Sequence, residues 1–145
     1  MTEQDGEHLL RTYLAAGDAR DWGALDDVLA DDVVTRSPGG SVLHGRAAAV
    51  EAWRAGHAGL SRLRHDVLTV VAAGDHVAAR VLVTGHHTGR FLGVEPTGAR
   101  VAVDQAVFAR IALGRVAEVW EVVDTGSGLQ QLGVLGARPL APGRD

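Results

Sequence analysis

The hydrophobic period of this chain changes once, near Gly59, from helical to extended, and that one change limits the folds open to it. Before it, apolar residues recur at spacings of three and four. Leu9, Leu10, Tyr13 and Leu14 form one stripe, Trp22, Leu25, Val28 and Leu29 a second, and Val50, Trp53 and His57 a third. Thr2 with Asp5 reads as a capping box for the first helix, Gly17 as its end and Asp21 as the N-cap of the second. A short extended piece at Val33–Arg36 and a turn at Ser37–Gly40 precede a third helix that starts near Gly45. After Gly59, Arg64–Val71, His76–Thr88, Arg100–Ile111 and Arg115–Val123 read as strands, rich in β-branched residues and separated by glycine-bearing turns. Helices followed by an antiparallel meander predict an α+β domain rather than repeated βαβ units. The helices must cover one face of the sheet, and a strongly twisted sheet curling round them leaves a pocket between the two layers.

The 145 residues suit a single domain over 1–135, with a loose Pro/Gly-rich tail at 136–145. Net charge is −4 with both signs mixed along the chain, so no basic stripe marks a nucleic-acid surface. No apolar run approaches membrane-spanning length, and the polar start Met1–Asp5 is unlike a signal peptide. The expected location is the cytoplasm. With no cysteine, the chain has no disulfide, thiolate metal site or thiol nucleophile. Its 14 basic residues are all arginine, as a very GC-rich genome produces, so Schiff-base lysine chemistry is excluded too.

Several segments then resemble one family. Asp21-Trp22 with Leu25 and Leu29, His44-Gly45-Arg46, and the glycine-punctuated run Gly85–Gly98 are similar to segments of SnoaL-like polyketide cyclases. So are Arg110, Gly114, Val116, Glu118, Trp120 and Asp124 in order, and the closing Gln131-Leu132-Gly133. The resemblance spans roughly residues 8 to 135 and implies an NTF2-like cone. That cone has N-terminal helices packed on a strongly curved antiparallel sheet, and it is usually dimeric or higher. It also implies ring closure of a polyketide-derived intermediate by intramolecular aldol chemistry, with no metal and no cofactor. The family's acid/base aspartate falls on Asp124. Relatives of the same fold include epoxide hydrolases, isomerases and accessory binding modules, so the fold does not fix the reaction.

Asp124 ends the apolar run Val119–Val123 and has two readings: an exposed strand-ending residue, or a pocket carboxyl. In an apolar pocket desolvation would raise its pKa, letting it act first as base and then as acid, a contribution of about 10²–10⁴-fold. A bulged turn at Ala112-Leu113-Gly114 pairs even positions with even positions across the last hairpin. Asp104, Phe108, Arg110 and Trp120 then share a face, which reads as a pocket wall. The opposite, valine-rich face reads as packing or a homodimer interface. Arg110 either holds a ligand carbonyl or pairs with Glu118. His86 and His87 point to opposite faces; the family pattern favours His87 as the one entering the cavity and assisting catalysis. His65 lies on a strand as a candidate wall residue, and Trp53 offers a flat surface to a substrate. By likeness to relatives, Tyr13 on the first helix lines the pocket. No histidine or carboxylate spacing supports a metal site.

Overall fold

The computed structural model describes residues 2–135; the expected tail at 136–145 lies outside them. Helix α1 (Glu3–Asp18) opens with the anticipated capping box, in which the Thr2 side chain accepts from the Asp5 N–H and the Asp5 carboxylate accepts from the Thr2 N–H. Asp21 caps α2 (Trp22–Val28) by accepting from the Ala24 N–H at 3.1 Å. Strand β1 (Leu29–Arg36), a short 3₁₀ turn at Pro38–Gly40 and strand β2 (Val42–His44) lead to α3 (Arg46–Gly59). The meander β3 (Leu60–Ala73), β4 (His76–His87), β5 (Arg100–Ala112) and β6 (Arg115–Val123) follows, and α4 (Thr125–Gln131) closes the chain.

The six strands form one curved, unclosed sheet in the order β2-β1-β6-β5-β4-β3. Every pairing is antiparallel except β1 with β6, which run parallel. That contact carries the sheet past the meander and brings β1 and β2 round towards α3. Leu10, Tyr13 and Leu14 of α1, Leu25 and Val28 of α2 and Trp53 of α3 are buried against one side of the sheet. Their partners are the inward positions Val77, Val81, Val107, Ile111, Val116 and Val119, all buried. Removing this apolar face from water is what holds the helices on the sheet.

The β5–β6 hairpin corrects one expectation in its cause and another in its consequence. Its turn has two residues, Leu113 and Gly114, both at positive φ, between the paired Ala112 and Arg115. A bulge beyond it shifts the register, so that Ile111 opposes Val116 but Arg110 opposes Glu118 and Phe108 opposes Trp120. Even positions therefore do pair with even positions, through the bulge rather than the turn. The sides are reversed, however. The valine-rich face is the one the helices cover, because an apolar face gains most from leaving water. Asp104 and Phe108 are exposed on the outer face, where Trp120 also lies.

Candidate active site

Between the inner face of the sheet and helices α1 and α3 lies a cavity of about 290 Å³, with a predominantly apolar lining. Val83, Val101, Val103 and Val123 supply its sheet wall, and Ala49, Trp53 and Gly56 its helical wall. Phe91 and Leu92 come from the β4–β5 loop, and Gly128 and Leu132 from α4 and its C-cap. The exposed lining residues Pro38, Ala52, Leu92 and Asp124 mark the mouth.

Several polar side chains stand out against this wall. Glu121 points inward from β6, between the buried Val119 and the cavity-lining Val123. It is partly buried and lines the cavity. Desolvation raises its pKa above the usual carboxylate value, against a smaller opposing pull from His65. His65 reaches the cavity from β3, and its imidazole is held by Asp18 at the end of α1. One Asp18 oxygen accepts from the His65 backbone N–H at 2.7 Å and the other lies 2.6 Å from Nδ1. A carboxylate only accepts, so Nδ1 carries the proton in the neutral ring and Nε2 keeps its lone pair. Trp53 packs its edge against His65 with ring centroids 5.0 Å apart and donates Nε1–H to the Tyr13 hydroxyl at 3.2 Å. That bond occupies the Tyr13 oxygen as an acceptor and leaves its O–H free to donate. Burial, then the charge of Glu121, pushes the Tyr13 pKa up despite the Trp53 hydrogen bond, so this phenol stays protonated. Gln105 completes the set; it is buried, and its Oε1 has no partner.

Tyr13, Trp53 and His65 thus line the cavity as expected from the sequence. Asp124 reaches only its mouth. It is exposed there and caps α4, with Oδ1 accepting from the Ser127 N–H at 3.1 Å, so the expected dry carboxyl is not found at this position. Asp104, Phe108, Arg110 and Trp120 lie outside the cavity, for the reason of sidedness given above. Arg110 pairs with Glu118 at 3.2 Å, and Trp120 stacks on His76. His87 is fully buried but does not line the cavity; both ring nitrogens are engaged by the β4–β5 loop. Among the described residues, no three histidines or carboxylates converge as metal ligands would.

Two members of the site were missed in the sequence. Glu121 is the single charged residue in the run Val119–Val123, and an acid at the inward phase of a buried strand is a signal in itself. Asp18 carried no local signal, since its partner lies 47 residues away.

A curved sheet closed by helices over an apolar cavity, with a partly buried carboxyl and a carboxylate-held imidazole on its walls, gives an α+β cone with a pocket of small-molecule size. The sequence matches the family model for SnoaL-like polyketide cyclases over residues 7–132, and the chain belongs to that family. Among solved structures it is similar to AclR, a proposed hydroxylase from Streptomyces galilaeus. The two are 29% identical with a TM-score of 0.83, over 96% of this chain and 91% of that one. It is also similar to IdmH, a proposed polyketide cyclase from Streptomyces antibioticus, at 28% identity and a TM-score of 0.79, over 89% of this chain and 99% of that one. The fold alone is shared with a protein of ketosteroid isomerase-like fold from Catenulispora acidiphila, at 20% identity and a TM-score of 0.74, over 90% of this chain and 96% of that one. The architecture is therefore the NTF2-like cone. Among proteins of curated function, none matches this chain significantly.

Proposed function

We propose that this protein is a polyketide cyclase-type enzyme that removes a proton next to a carbonyl of a small, largely apolar intermediate and closes a ring by an aldol-like step. The observation that carries the reading is the pairing of Glu121, its pKa raised by desolvation, with the Asp18-held His65 on the walls of one apolar cavity. His65 Nε2 accepts the proton from the activated carbon. The resulting enolate carbon attacks the second carbonyl, a carbon–carbon bond forms, and the electron pair of that C=O moves to oxygen. Glu121, protonated beforehand, delivers a proton to this oxygen, and Tyr13 O–H donates a hydrogen bond to the enolate. Return of the proton from His65 to Glu121 restores the starting state. Two groups with separated proton affinities suit such a sequence better than one. In this reading the acid/base role expected of Asp124 passes to Glu121, and Asp124 meets polar substrate atoms at the mouth.

The first step is shared with isomerases of the same fold, and the assay should isolate it. Incorporation of solvent deuterium at the activated carbon of small β-keto esters and 1,3-diketones reports proton abstraction without the native substrate. We expect wild-type protein to catalyse it and His65→Ala to lose about 10²-fold or more. Exchange at the same rate in both proteins would refute the proposal. We further place the enzyme in the cytoplasm, which the lack of cysteine suits, and as a homodimer. With the valine-rich face committed to the core, the surface left for pairing is the outer face bearing Phe108, Trp120 and Val122.

A further inference from the structure

His87 lies just behind the cavity wall and is the most completely buried of the histidines, with no exposed surface. It ends β4, and everything its ring touches through hydrogen bonds belongs to the β4–β5 loop. Nδ1 accepts the Thr97 backbone N–H at 3.1 Å and lies 2.9 Å from the Thr97 hydroxyl; Nε2 lies 3.2 Å from the Val94 carbonyl. Because a backbone N–H can only donate, Nδ1 must be the unprotonated nitrogen and Nε2–H must be the donor. The loop as folded here therefore requires a neutral imidazole. The same loop carries Phe91 and Leu92 to the cavity, Leu92 at its mouth, and the His87 ring lies edge-on to Phe91 with centroids 6.5 Å apart.

The two ends of the loop are held differently. At its start, the Thr88 and Gly89 N–H groups donate to the Gly59 carbonyl at 3.2 and 3.1 Å. A Cβ on Gly89 would meet the Ala58 carbonyl oxygen at 1.9 Å, so backbone lies directly on backbone there. That attachment does not titrate. The far end is held by the His87 ring, with the Gly98 N–H to His87 carbonyl and His87 N–H to Ala99 carbonyl bonds, each 2.8 Å, just behind it.

We propose that His87 is a positioning residue that latches the β4–β5 loop over the mouth, and that its protonation frees the Thr97–Gly98 end of the loop that carries Leu92 to the entrance, while the Nε2–H bond to the Val94 carbonyl persists. An imidazolium has no lone pair for the Thr97 N–H and turns a second N–H against it. The charged groups around the ring do not substitute for the lost acceptor. Arg90 and Glu95 of the loop pair with each other at 3.2 Å on the surface. Arg62 of β3 and Arg100 of β5 are exposed, His86 sits on the opposite face of β4, and His57 of α3 is bound to the Gly17 carbonyl at 2.7 Å. The latch concerns entry to the cavity and is independent of the chemistry proposed for it.

Amide hydrogen exchange on the free protein tests it, with rates corrected for intrinsic exchange. Between neutral pH and about pH 5, below the unperturbed histidine range, protection at Thr97 and Gly98 should fall about tenfold relative to β5, the weight of one hydrogen bond. His87→Gln keeps an acceptor and a donor but cannot titrate, and its protection should stay level across the same range. The association rate of anilinonaphthalene sulfonate should rise on acidification in the wild type and not in His87→Gln. Should the glutamine fit poorly, the imidazole nitrogens of His87 and the Thr97 amide should still titrate together in the wild-type NMR spectrum. Level protection in the wild type, an equal loss in a well-folded His87→Gln, or separate titration of ring and amide would overturn the proposal. An unchanged probe association rate despite a released loop would overturn the gate.

Discussion

Glu121 is an ionisable residue placed where water is scarce, and its cost and its use have the same origin. Its pKa in the folded protein is raised by desolvation. The stability it contributes is therefore present below the unfolded pKa of about 4.3 and is lost as pH rises through the folded value. Glu121→Gln should raise the melting temperature more at alkaline than at acidic pH while lowering turnover in ring closure, the step for which Glu121 supplies the proton, the opposition expected when a site is built at the expense of stability. Thermal melts across pH check the first half; equal shifts at both ends would contradict it. Asp18→Asn should lower the exchange rate about 10²-fold by loosening the His65 tautomer, with a smaller effect on KM than on kcat. At this scale the sequence was only partly legible. Tyr13, Trp53 and His65 were within reach because their elements were right, but Asp18 becomes visible only when α1 lies across β3. Asp124 kept two readings because a strand end next to a pocket and a strand end inside one have the same local sequence.

The elements themselves were legible because their signals are local. Caps at Thr2 and Asp21, the period change at Gly59 and the limits of β6 depend on neighbours a few residues away. β2 escaped notice, as it is three residues long and paired only with β1. The β5–β6 hairpin shows what a local signal cannot settle. Alternation gave the correct grouping of residues by face, yet which face meets the helices is decided by burial of the whole layer. An apolar face with one embedded acid is the inner wall, and a face mixing arginine, glutamate and tryptophan is the one left to solvent. Packing between elements is tight at Gly17, where a Cβ would come within 2.3 Å of the Trp53 ring. Gly17→Ala should destabilise the protein by about 1–3 kcal/mol, as overpacking does, and should displace Trp53 from Tyr13 and His65. Chemical denaturation with tryptophan fluorescence reads both effects.

Across the whole molecule, the cavity is an unfilled part of the hydrophobic core. That is why its wall looked like packing in the sequence and why its ligand should be largely apolar. The outer face of the sheet is a separate surface. Phe108 is 45% and Val122 62% exposed, with Arg36 and Arg110 both paired to Glu118 nearby. If this face joins two copies, the double variant Phe108→Glu/Val122→Glu should sediment as a monomer with its melting behaviour otherwise intact, and an unchanged sedimentation coefficient would remove this face from the interface. No described helix is long and apolar enough to cross a membrane. The proposed chemistry rests on Glu121 holding its proton inside the cavity, and the direct test is to follow its labelled side-chain carboxyl carbon by NMR across pH. We predict a midpoint clearly above the ordinary glutamate value of about 4.3 that falls when His65 is protonated beside it; a midpoint at or below that value would contradict the mechanism.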